Sequence, residues 1–136
     1  SRHGEEKDGR LNTYGIPVFG VRDGKFTSHY SRTYVEAAQE LETVPQMSDA
    51  QWEALDLLAE VAAEVCMEMR FEPGDMQLVN NHVIYHARTA YEDGADKRCL
   101  KRIWLSMPNS RALPEDQAAL WRNVEPGALR GGIVQA

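Results

Sequence analysis

PGDMQLVNNHVIYHARTAYEDGADKRCLKRIWLSMPNSR, residues 73–111, is the stretch on which the fold turns. Pro73-Gly74-Asp75 is a turn tripeptide, and beyond it apolar and polar residues alternate with a period of two. Residues 76–80 (MQLVN), 82–88 (HVIYHAR) and 98–107 (RCLKRIWLSM) are predicted strands, rich in β-branched and aromatic side chains. The loop 91–97 (YEDGADK) separates the last two, and Met107-Pro108-Asn109-Ser110 ends the third. Residues 76–87 carry no charged group apart from the two histidines His82 and His86, in a chain that is 26% charged.

Upstream, IPVFGVR (16–22) and KFTSHYS (25–31) are two β-prone runs joined by Asp23-Gly24, a pair that supplies the positive φ of a type I′ turn. This predicts a β-hairpin over 16–31. TYVEAAQELE (33–42) reads as a short helix ending before Thr43-Val44-Pro45. Ser48 and Gln51 have the spacing of a capping box, and Trp52, Leu55, Leu58, Ala62, Val65 and Met69 then recur at steps of three and four. The spacing predicts a long amphipathic helix over about 48–70. Its acids, Glu53, Asp56, Glu60, Glu64 and Glu68, fall on the other side and read as a solvated face. Downstream, PEDQAALWRN (114–123) reads as a short helix, followed by a tail expected to fray.

The chain has 136 residues, enough for one globular domain. It is 43% hydrophobic with a net charge of -6, which argues against a nucleic-acid or anionic-membrane partner. The acidity is local: residues 34–75 hold eleven acids and one base, whereas 88–111 hold six bases and three acids. No stretch approaches the length of a membrane helix, and the polar start SRHGEEKDGR lacks the apolar core of a signal peptide. Cys66 and Cys99 are spaced as buried thiols of a reducing compartment, so a cytoplasmic protein is expected.

His82 and His86 share one face if 82–88 is a strand. Two readings of the pair stay open on spacing alone: hydrogen-bonded core histidines, or metal ligands, including a zinc site that takes both rings. Arg98 and Arg102 share a face of the last strand, with Leu100 between them. A guanidinium there is either solvated at a sheet edge or meets a carboxylate through its bidentate fork.

These residues carry a family likeness. The 73–111 stretch resembles the C-terminal part of the taurine dioxygenase (TauD/TfdA) family, and the hairpin and the helix before Pro73 resemble it too. The resemblance implies a mainly β protein with helices, an α+β chain with a double-stranded β-helix (jelly-roll) core packed against the long helix. It implies a non-haem Fe(II), 2-oxoglutarate-dependent dioxygenase that oxidises a small organic substrate and releases succinate and CO₂. By the family pattern His86 is the distal iron ligand, with Asn81 five residues before it and Asp93 in the following loop. Arg102 binds the distal carboxylate of 2-oxoglutarate, and Arg98 matches a second basic position. Arg88 and His82 fall near cosubstrate, substrate or the ligand itself.

The family's early His-x-Asp/Glu pair lies well over a hundred residues before the distal histidine, and only 85 residues precede His86. His3-Gly4-Glu5 has the form, but it sits in a polar segment that does not resemble the metal strand. About five strands are predicted, where a jelly roll closes with about eight. The chain is therefore expected to be the C-terminal portion of one oxygenase domain, with the N-terminal half of the same enzyme as its partner and a homo-oligomer as a further expectation. Its first residue, Ser1, fits a processed or partial chain. The alternative is a non-catalytic jelly-roll remnant that holds a partner at its open sheet edge or on its acidic helix.

Overall fold

A computed structural model describes residues 13–92, 94–95 and 99–130. They fall into two compact units: one takes in Tyr30–Asn81, the other Gly15–His29 together with the chain from His82 onward.

The first unit is helical. Helix α1, Arg32–Gln39, matches the expected short helix, and α2, Asp49–Glu64, follows it. The capping box is formed: Gln51 N–H donates to Ser48 Oγ at 3.4 Å, and Ser48 N–H donates to Gln51 Oε1 at 2.8 Å. Arg32 staples α1 to α2, with Nε donating to Glu36 at 2.7 Å, Nη1 donating to Asp56 at 2.6 Å, and the guanidinium 5.0 Å over the Trp52 ring. The turn between the helices winds on Gln39, whose side chain accepts from Met47 N–H at 2.7 Å and donates to Pro45 O at 3.1 Å.

α2 stops at Glu64, short of the expected residue 70. Two causes act together. Glu60, Glu64 and Glu68 repeat at four-residue spacing near the negative end of the helix dipole, where no base offsets them. The apolar stripe also loses its cover, since Leu55 is buried while Val65 is 75% exposed. Helix propensity alone does not extend a helix whose last turns bury nothing.

The second unit is built on a two-stranded antiparallel sheet, β1 (Phe19–Arg22) and β2 (Lys25–Ser28), with Phe19 opposite Ser28, Gly20 opposite Thr27 and Val21 opposite Phe26. Asp23 and Gly24 take φ of 52° and 69°, the type I′ geometry expected of this pair. Near the other end of the unit a 3₁₀ turn, Glu115–Gln117, runs into α3, Ala118–Trp121. Its small core holds Ala112, Leu113 and Val124. Arg22 reaches across to Leu113 O at 2.9 Å and pairs with Glu115 and Glu125, each at 2.9 Å. Gly127, at φ +72°, lies where a Cβ would stand 2.7 Å from Pro108 O, so the turn there requires glycine.

Among the described residues the strands expected at 76–80, 82–88 and 98–107 are not formed, and there is no jelly-roll core. Residues 76–80 and 99–107 are irregular and open, with Met76 82% and Ile103 80% exposed. A strand exists only through its ladder, and the outer edge of β2 offers this stretch one backbone bond, Ser28 N–H to His82 O at 2.8 Å.

Ser48→Ala removes the α2 cap, and the expected cost is about 1 kcal/mol of stability in the helical unit. Urea titration followed by far-ultraviolet circular dichroism measures it.

Candidate functional site

Ser28, at the end of β2, is buried and organises what lies next to it. Its N–H holds the His82 carbonyl, and its hydroxyl donates to Val18 O at 2.9 Å. The single hydroxyl proton being spent on Val18, the Tyr85 hydroxyl donates to Ser28 Oγ. The hairpin thus holds the chain at 82 and at 85, just before His86.

His82 is half-buried and lies edge-on to Trp121, ring centroids 5.5 Å apart, and His29 packs on the same indole at 5.6 Å. Burial, together with the nearby positive charges of Arg130 and Arg111 and the His29 ring, pushes the His82 pKa down to about 4. Burial also lowers that of His29. Both rings are held in the neutral form in the folded unit. Arg130 reaches this region because its guanidinium is tied to the carbonyls of Arg111 at 2.8 Å and Asn123 at 3.0 Å.

The remaining residues singled out by sequence are dispersed. His86 and Arg102 are exposed, and neither has a hydrogen-bond or ion-pair partner among the described residues. Arg88 is exposed and stacks on Tyr91 at 4.3 Å. Asn81 is half-buried in a turn at the end of the helical unit. Arg98, Asp93 and the His3-Gly4-Glu5 triplet lie outside the described residues. Cys66 and Cys99, expected to be buried thiols, are exposed, because the segments carrying them are not packed.

No group of three or more His, Cys, Asp or Glu suited to a metal ion exists among the described residues. One imidazole does not hold Fe(II), so these residues do not fit an iron centre by themselves. The zinc reading gains nothing either: His82 is packed against Trp121, whereas His86 is exposed. Sequence reasoning passed over Ser28, His29 and Trp121. The alternation along β2 and the spacing of Gln117 and Trp121 on one helical face were the available signals.

Comparison with known proteins gives this arrangement its context. Residues 2–104 match the family described as taurine catabolism dioxygenase TauD, TfdA family. The chain belongs to this family. FR-33289 synthase of Streptomyces rubellomurinus (strain ATCC 31215) is 33% identical over 118 residues, an alignment covering 82% of this chain and 35% of that protein. The chain therefore spans about a third of the length of this curated relative. Family membership implies a jelly-roll fold and a dioxygenase-type enzyme, and members are generally dependent on Fe(II) and 2-oxoglutarate. No helix among the described residues is long and apolar enough to cross a membrane.

The His82 environment has a measurable consequence. Unfolded, the imidazole binds a proton near pH 6.5; folded, it does so only near pH 4, so stability present above pH 6.5 is lost as pH falls toward 4. The expected loss is about 1–2 kcal/mol, reduced by partial solvent access from what such a depression carries in full. Urea midpoints at pH 7 and pH 4.5 for the parent and His82→Gln check this, the variant losing less.

Proposed function

We propose that this chain forms the C-terminal portion of a single Fe(II)/2-oxoglutarate-dependent dioxygenase domain that oxidises, by hydroxylation, a small organic substrate. The reaction consumes O₂ and 2-oxoglutarate and releases succinate and CO₂. The observation that carries this reading is the set Asn81, His86 and Arg102, in family spacing, inside the segment that matches the family. His86 contributes one neutral imidazole to the metal, and the other two ligands come from the rest of the enzyme. Arg102 offers its planar fork to the distal carboxylate of 2-oxoglutarate, with Arg98 adding positive charge on the same segment. Arg88, Asn81 and His82 border the site and orient cosubstrate, substrate or the ligand strand. The metal and cosubstrate supply the oxidative chemistry, while these residues bind and orient.

The partner is the N-terminal half of the same enzyme, and exposed apolar surface supports this. The hairpin turns Phe19, Val21 and Phe26 outward, at 51%, 65% and 49% exposure, and Ile103 and Leu105 of the same unit are also open. Such a surface is the mark of an unfilled interface rather than of a finished domain. The predicted strands 76–80, 82–88 and 98–107 would form when the first half supplies their ladder partners. Without it this chain has no activity, and cytoplasmic placement accords with the free thiols.

In the assembled enzyme His86→Ala is expected to lower bound iron at least about tenfold, measured by elemental analysis. Unchanged iron content removes His86 from the ligand set, whereas an assembled parent protein that binds no metal favours the non-catalytic module. Arg102→Ala is expected to weaken 2-oxoglutarate binding by about a hundredfold while iron content stays near the parent value, as read by calorimetric titration.

A further inference from the structure

The side of the hairpin that is covered is the polar one. Gly20 and Thr27 are cross-strand partners, so side chains at the two positions leave the sheet on the same side. A Cβ built on Gly20 would stand 2.6 Å from Pro114 Cγ and 3.7 Å from Gln117 Nε2, which puts the Gln117 amide over that side. Thr27 and Gln117 are both 0% exposed. Trp121 follows Gln117 by four residues, and its ring meets His29, two residues beyond Thr27. Thr27 Oγ1, both ends of the Gln117 amide and Trp121 Nε1 are buried without a hydrogen-bond partner among the described residues.

Buried amides and hydroxyls in folded proteins are nearly always hydrogen-bonded, and four orphans in one small unit would cancel much of its margin. The atoms also define what satisfies them. Trp121 Nε1 and Gln117 Nε2 only donate, Gln117 Oε1 only accepts, and Thr27 Oγ1 does both. An anion leaves Oε1 without a donor, and a metal cation meets two N–H groups. A molecule that donates and accepts in the same small space serves all four.

We propose that Thr27, Gln117 and Trp121 enclose an internal hydration site, in which water bridges Thr27 Oγ1, the Gln117 amide and Trp121 Nε1. At about three hydrogen bonds per buried water, one or two molecules complete the set. The site joins the hairpin to the 115–121 helical turn through solvent, and it stands whether or not the catalytic reading above holds. Gly20 is part of it, because a side chain there would displace Pro114 or the amide.

The test uses the full-length protein that carries this segment. Where water bridges the atoms, Thr27→Val strips a partner from it and melting falls by about 4 °C or more, while Thr27→Ser, which keeps the hydroxyl, recovers most of that loss. Gln117→Met, close in shape, lowers melting as well. Where the atoms are dry orphans, removing them relieves a penalty, so a Thr27→Val or Gln117→Met protein that melts at or above the parent temperature overturns the proposal. Should the variants fail to fold, the parent protein decides: long-lived water seen by water–protein NOE at the Trp121 indole N–H and Gln117 amide supports the site. Absence of that signal overturns it.

Discussion

Ser28 N–H donates to the carbonyl of His82 at 2.8 Å, and much of the second unit depends on that bond. It is where the β2 backbone meets the backbone of the chain that follows the helices, and Arg111 Nη1 adds a side-chain bond to Phe26 O at 2.6 Å. Around it the Ser28 hydroxyl holds Val18 O and Tyr85, and His82 and His29 make T-shaped contacts with the Trp121 ring. A strand adds stability only as each successive rung finds a partner, and here the ladder ends at its first rung. The described residues from His86 to Leu105 lie past that point and are correspondingly irregular and exposed.

The features legible in sequence are those whose causes are local. Asp23-Gly24 takes positive φ because the hairpin twist demands it, and Ser48 with Gln51 closes the capping box because both partners lie within one turn. The features that were not legible have non-local causes. Alternation over 76–80 and 98–107 states which side of a sheet each residue would take, and it does not provide the neighbouring strand. The end of α2 is intermediate: the acid repeat Glu60, Glu64, Glu68 was visible in sequence, but loss of cover over Val65 and Met69 was not.

The two faces of the hairpin show how pattern and burial come apart. Phe19, Val21 and Phe26 form the apolar face and are exposed, while the face bearing Gly20 and Thr27 is closed by Pro114 and Gln117. Pattern alone assigns the apolar face to the core. In this chain it is Arg22, pairing with Glu115 and Glu125 and bonding Leu113 O, that draws the C-terminal turn onto the polar side instead. Partly exposed ion pairs of this kind contribute little each, so the closure rests on the backbone contact and on the tight Gly20–Pro114 approach as well. The apolar face is left exposed.

The candidate site divides in the same way between what residue type carries and what register carries. Asn81, His86 and Arg102 are singled out by their likeness to the family pattern, and residue type and spacing survive in any conformation. Spacing becomes distance only when a ladder sets the register, and a slip of one residue turns His86 from one face of a sheet to the other. Ser28 and Tyr85 hold the chain up to the residue before His86, which leaves the direction of that imidazole to whatever pairs with 86–88. A metal site needs its donors fixed to within a fraction of an ångström by rigid neighbours. On the function proposed above, the ligand set and the further rungs of the sheet are therefore one requirement: a ladder beyond His82 would also aim His86 and bring Arg102 toward the carboxylate proposed for it.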